Sequence, residues 1–298
     1  MILLQICIGF PVNVFLLLFY GWVASTRHKL SSSALIQTNL ALANIMIFLS
    51  WGIPETMSAW GWRNFLNVIG CKVLMYFYRV ARGLSVCTTC LLSVFQAVTI
   101  SPSTSHWAGV KTKLPKCIVP SCILSWVLNL LINSGIPRYT SGPRNTSIQI
   151  TYDLKYCSVT TVSVETTLIN TVVYSVWDLL FVGLMGASSS YMVFVLHRHH
   201  RQVQHLHGPG RSPKAMPEVR AAKCVISLVT LYILLYGRQT IMVNILINMK
   251  GNAPQLMASH LVWSFTFSVF SPFLIIHSDR RMRKFWKRES PVRNMDPS

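Results

Sequence analysis

Long apolar runs divided by short basic or polar segments set the pattern of this chain. Seven runs reach the ~20 residues with which a helix crosses ~30 Å of hydrocarbon: Ile2–Ala24, Ala34–Trp60, Val73–Ile100, Leu114–Ile136, Thr166–Leu196, Ala222–Leu246 and Leu256–His277. No internal repeat is visible, which argues against a transporter built from inverted halves. The pattern predicts an all-α membrane protein. A seven-transmembrane helix bundle occupies residues 1–277, and a basic cytoplasmic tail occupies 278–298. The first span reads as a signal anchor rather than a cleaved signal. No basic region precedes it, its apolar stretch outruns a signal core, and Arg27, His28 and Lys29 follow it.

Composition agrees with spans rather than with two soluble domains. Of 298 residues, 52% are apolar and 12% charged, against about 25% charged in soluble domains. The 27 Lys and Arg against 8 Asp and Glu give a net charge of +19. Such a balance suits a nucleic-acid binder, but the basic residues lie between the apolar runs and not on amphipathic elements. There they orient a polytopic protein. Loops one, three and five and the tail hold 18 of them, counting Lys116 and Lys223 at the helix entries, and loops two, four and six hold 6. That bias puts the N-terminus outside and the C-terminus in the cytoplasm.

Two features fall on the expected side. Asn145-Thr146-Ser147 is a glycosylation sequon in the fourth loop. Of eight cysteines, six lie in or at the end of apolar runs; Cys71 opens the third span and Cys157 lies in the fourth loop. The oxidising side therefore holds one natural disulfide pair. Seven helices, an outer N-terminus and a bridge from the top of the third helix to the fourth loop resemble the architecture of G-protein-coupled receptors.

A narrower resemblance rests on strings of residues. The stretch from Arg79 through Cys87-Thr88-Thr89-Cys90 to Thr99-Ile100-Ser101-Pro102 closely resembles helix three of the vomeronasal type-1 receptors. Leu40-Ala41-Leu42-Ala43-Asn44 and Gly52-Ile53-Pro54-Glu55-Thr56-Met57 resemble its helix two. Gly70-Cys71-Lys72, Tyr156-Cys157-Ser158, the His197–His207 run, Pro217-Glu218-Val219-Arg220-Ala221 and Ser271-Pro272-Phe273 follow in family order. The resemblance implies a multi-pass plasma-membrane receptor of sensory neurons. It would bind a small-molecule chemosignal and couple to a heterotrimeric G protein of the inhibitory or Go class. Like that family, the chain lacks the acidic–arginine–tyrosine triplet at the foot of helix three, where Val94-Phe95-Gln96 stands. Val176-Trp177-Asp178 replaces the phenylalanine-proline-aspartate expected in helix five.

Five ionisable side chains lie inside spans: Glu55, Arg79, Arg82, Asp178 and Arg238. A charge at mid-bilayer costs ~2.5–3.5 kcal/mol on insertion scales, so such groups face the bundle interior. Arg79 and Arg82 share a helical face, ~12–17 Å below Cys71 at ~1.5 Å per residue. Two roles fit them. Together with Asp178 they form a ligand-binding set for an anionic or acceptor group, or they pair with Asp178 or Glu55 and fix helix packing. Arg238 reads as a switch contact or as a snorkelling, water-facing arginine.

The remaining motifs have plainer readings. Cys87 and Cys90 have CxxC spacing inside an apolar helix, where packing is the better account. The loop-five histidines carry no metal signature, and no cofactor or catalytic constellation appears. Arg198, Arg201, Arg220 and Lys223 form a G-protein-facing set that also attracts anionic membrane lipids. The tail from Arg280 to Arg288 mixes basic and aromatic residues and suits an interfacial helix better than RNA. Oligomeric state is open. A bitter-taste-type receptor, a broadly expressed co-receptor and a transporter or channel are the alternatives. Cys71 and Cys157 oppose the first, and fold alone does not decide the second. A transporter or channel would show repeated halves and a polar path, and neither is visible.

Overall fold

The structure is a computed structural model. It describes residues 1–27, 30–62, 64–102, 108–142, 150–153, 156–160, 164–207, 217–248, 259, 262–279 and 282. Asn145 and most of the tail lie outside the described residues.

Among the described residues, seven helices form the bundle: α1 (Ile2–Arg27), α2 (Ser32–Ala59), α3 (Val68–Ile100), α4 (Ala108–Ile132), α5 (Val164–His207), α6 (Pro217–Asn248) and α7 (Val262–Ser278). Six are long and apolar enough to cross a membrane, and α7 is a shorter apolar helix with a turn at Phe265. Several helices begin or end beyond their apolar runs, because hydrogen-bonding signals rather than hydropathy end a helix. Asn67 caps α3 by accepting from the Gly70 amide at 2.7 Å, ahead of the point where the run begins. Ser31 caps α2 in the same way, through Ala34. Pro217 opens α6, where its missing N–H costs nothing. The basic His197–His207 segment continues α5 as helix after the apolar residues stop.

In α2 a π-helical turn spans Phe48–Gly52. Pro54 follows it, and a proline there cannot donate to the Ser50 carbonyl and crowds it. The wider turn relieves that clash.

The central strut is α3, packed against α2, α4, α5 and α6. Its buried face carries Ala81, Ser85, Cys87, Thr88, Thr89 and Ser93, small side chains that let neighbouring helices approach. Hydroxyls of Thr88 and Thr89 donate to backbone carbonyls one turn back, at Leu84 and Ser85, so neither buried donor is stranded. At Gly83 an added Cβ would overlap Asn129 Oδ1 of α4. That amide is held by the Ser125 carbonyl at 2.8 Å and Cys87 Sγ at 3.4 Å.

An uncharged polar junction joins α1, α2 and α7. Asn44 Nδ2 donates to Asn13 Oδ1 and Ser271 Oγ, both at 3.0 Å. Asn13 Nδ2 donates to the Gly9 and Ser268 carbonyls at 2.7 and 3.0 Å.

The connection from α4 to α5 holds structure that hydropathy did not foresee. Three short strands, β1 (Thr140–Ser141), β2 (Ile150–Asp153) and β3 (Ser158–Thr160), form an antiparallel sheet in the order β1-β3-β2. The disulfide Cys71–Cys157, with Cα atoms 5.7 Å apart, fastens this sheet to the top of α3. The expected pairing is the one present. Beside the bridge, the Tyr156 hydroxyl donates to Glu55 Oε1 of α2 at 2.9 Å, with both residues buried.

Candidate ligand-binding site

One wall of a partly open cavity between the helices is built by α3. Tyr78, Arg82 and Ser85 recur at helical spacing on one face and line it. Tyr232, Leu235 and Tyr236 of α6 stand across from them. Trp263, Ser264, Phe267 and Ser268 of α7 and Ile47 of α2 complete the lining. The site is lined by aromatic rings with a few convergent polar groups, the usual composition of a small-molecule pocket. Its volume is ≈ 50 Å³. At roughly 10–15 Å³ per water on this measure, it holds a few waters. A ligand with several carbons reaches beyond this space, through its open side or by parting the rings.

Arg82 is the charge within this cavity. Tyr78 is its hydrogen-bond partner, and Tyr232 and Asp178 act on it electrostatically. Its guanidinium carbon lies 6.0 Å from the Tyr236 ring centroid, at the outer limit of a cation–π contact. Tyr78 in turn stacks on Trp51 of α2, with ring centroids 4.5 Å apart.

The structure separates residues that the sequence grouped. Arg79 shares the general face of α3 but is exposed and does not line the cavity. Asp178 is half-buried on α5 and affects Arg82 by its field, not as part of the lining. Glu55 is committed to Tyr156 near the disulfide. Among the described residues, Arg238 makes two contacts: its Nη2 donates to Ser259 Oγ at 2.7 Å, and its guanidinium carbon sits 4.4 Å from the Trp263 ring centroid. At the opposite end of the bundle, Arg198, Arg201 and Lys223 are exposed and Arg220 is half-buried. They sit on the facing ends of α5 and α6. There too the Tyr20 hydroxyl reaches Gln37 at 2.5 Å and Asp279 at 2.9 Å, tying α1 and α2 to the end of α7.

Sequence reasoning missed the aromatic lining. Tyr232 and Tyr236 are one turn apart, and Tyr78 is one turn from Arg82. Tyrosines clustered at the depth of a half-buried arginine were the available signal.

Comparison with known proteins decides the family. Residues 1–288 match the model of the vomeronasal organ pheromone receptor family. The chain belongs to the vomeronasal type-1 receptor family. Human vomeronasal type-1 receptor 4 is 37% identical over 292 residues, covering 97% of each chain. Human vomeronasal type-1 receptor 3 is 42% identical over 233 residues, 77% of this chain and 75% of that one. Olfactory receptor class A-like protein 1 of Danio rerio is 36% identical over 283 residues, 94% of this chain and 89% of the relative. In fold, the chain is similar to squid rhodopsin, with a TM-score of 0.72, 17% identity and coverage of 96% of this chain and 82% of that one. A vomeronasal type-1 receptor is a chemosensory receptor and not an enzyme, and this chain has the fold of a G-protein-coupled receptor. A small-molecule ligand and a G protein are its partners as a class.

Proposed function

We propose that this receptor sits in the plasma membrane of sensory neurons with its N-terminus outside. It binds a small chemosignal in the cavity between α2, α3, α6 and α7, and it activates a heterotrimeric G protein of the inhibitory or Go class. The observation that carries the reading is Arg82. A cation aimed into an aromatic cavity between helices offers an anionic or acceptor group a charge-assisted hydrogen bond, with Asp178 tuning it through space. Arg79 is assigned the outer approach to that cavity. The disulfide supports the orientation, since such bonds persist on the oxidising side. Asn145 shares that side and is the assigned glycosylation site. Arg198, Arg201, Arg220 and Lys223 then face the cytoplasm, where basic ends of α5 and α6 meet the G protein and anionic lipid.

The cavity is small, and a ligand that favours an arrangement with more room acts as a switch. Only a difference in affinity between the two arrangements shifts their balance. The test is expression with sensors for Go, inhibitory and stimulatory G proteins, challenged with a panel of small volatile and acidic compounds. Activation of Go or the inhibitory class is expected, together with loss of response in Arg82→Ala at unchanged surface level. Activation of the stimulatory class alone, or full response in Arg82→Ala, overturns the reading. Expression in scattered single neurons, rather than in nearly all of them, separates a tuned receptor from a co-receptor.

A further inference from the structure

We propose that Arg238 is a second anion-recognition residue, at the rim of the cavity, and that it selects ligands bearing a negative group on a small apolar body. The inference deepens the cavity reading above and rests on it. Arg238 lies within the sixth apolar run, where a cation is costly unless compensated. Among the described residues, both of its contacts are with neutral groups, the Ser259 hydroxyl and the Trp263 ring. A hydroxyl lone pair and a ring quadrupole hold a guanidinium without cancelling its charge. Arg82 differs, because Asp178 acts on it electrostatically.

The placement gives this charge access to the site. Trp263 and Tyr236 both line the cavity. Arg82 approaches the Tyr236 ring from α3, and Arg238 lies over the Trp263 ring from α6. Each of these two lining rings therefore has a guanidinium beside it. Arg238 is half-buried and Trp263 is 45% exposed, so the rim is reachable. A carboxylate, sulfonate or sulfate exchanges the Ser259 hydroxyl for a charged acceptor that matches the guanidinium fork, and its apolar body packs on Trp263 and Tyr236. A neutral molecule leaves Arg238 on Ser259 and gains nothing from it. The exchange also releases a contact that joins α6 to the segment before α7. Anion binding at this point thus bears on how those two elements sit together.

The test uses the full chain in lipid nanodiscs, with phenylbutyrate and its uncharged counterpart phenylbutanol as probes and thermal unfolding as the readout. Wild type is expected to favour the carboxylate about tenfold to a hundredfold, the strength of a hydrogen bond to a charged group. Arg238→Gln is expected to lose most of that preference while binding the alcohol as wild type does, and Arg238→Lys to keep part of it. An unchanged preference in Arg238→Gln, or equal binding of the two probes by wild type, overturns the assignment and leaves the cavity reading standing. Loss of preference in Arg82→Gln alone makes Arg238 a packing residue and likewise overturns it. Failure of wild type to bind either probe removes the cavity reading and the proposal together. Should Arg238→Gln fail to fold, Ser259→Ala decides. It frees the guanidinium and is expected to raise carboxylate affinity about twofold to tenfold, and no change there counts against the proposal.

Discussion

Helices α3 and α5 are similarly apolar along their spans, yet the most apolar window of α3 is 67% buried inside the protein and that of α5 only 11%. Hydropathy identifies both as spans and says nothing of where each stands in the bundle. Their side chains do. The inner face of α3 is a ladder of small groups, with the Thr88 and Thr89 hydroxyls turned onto backbone carbonyls. Outward α5 presents Leu179, Leu180 and Phe194, each about 60% exposed (62%, 60% and 61%), to what is lipid in a membrane. Lipid is as apolar as a leucine side chain, so burial of apolar surface does not choose α3 as the strut. Close packing and satisfied polar groups do.

That contrast can be broken experimentally. The largest expected effect is at the fastening of α3. The bridged residues are 86 apart in sequence, and Cys71→Ser or Cys157→Ser is expected to cost about 2–5 kcal/mol. Surface expression should collapse relative to total protein, and the double variant should be no worse than either single one. Next is Leu92→Ala, at a 1% exposed position of α3. A cavity there costs about 2–5 kcal/mol, read as a fall in the unfolding temperature of purified receptor. Gly83→Val tests close approach directly. The new side chain must displace the Asn129 amide from both its partners, at about 1–3 kcal/mol for overpacking. The smallest effects belong to α5. Gly183 has nothing within 4 Å of an added Cβ, so Gly183→Ala and Leu179→Ala should each stay within about 0.5 kcal/mol. A large loss in either would mean that the outer face of α5 is covered by a protein partner.

Much of the frame was legible in the residues. Seven apolar runs marked the seven helices, and sorting eight cysteines by position found the one bridge. Helix ends were less legible, because Asn67, Ser31 and Pro217 act through single hydrogen bonds or their absence, which hydropathy does not register. The three strands carry no apolar run of their own. The π-turn before Pro54 is a local compromise within a span that reads as uniformly helical. At the site, spacing placed Arg79 and Arg82 on one face, but residues three apart differ by about 60° around a helix. That angle leaves Arg82 in the cavity and Arg79 outside it. The partners of Arg238 could not be read at all, since Ser259 and Trp263 are 21 and 25 positions away in the chain.

The junction of Asn13, Asn44 and Ser271 has an electrical consequence. Its members are uncharged, so repacking it moves no formal charge along the membrane normal. One elementary charge carried through the whole field is worth about 2.3 kcal/mol per 100 mV. This junction carries none, so a membrane potential leaves its balance where chemistry sets it.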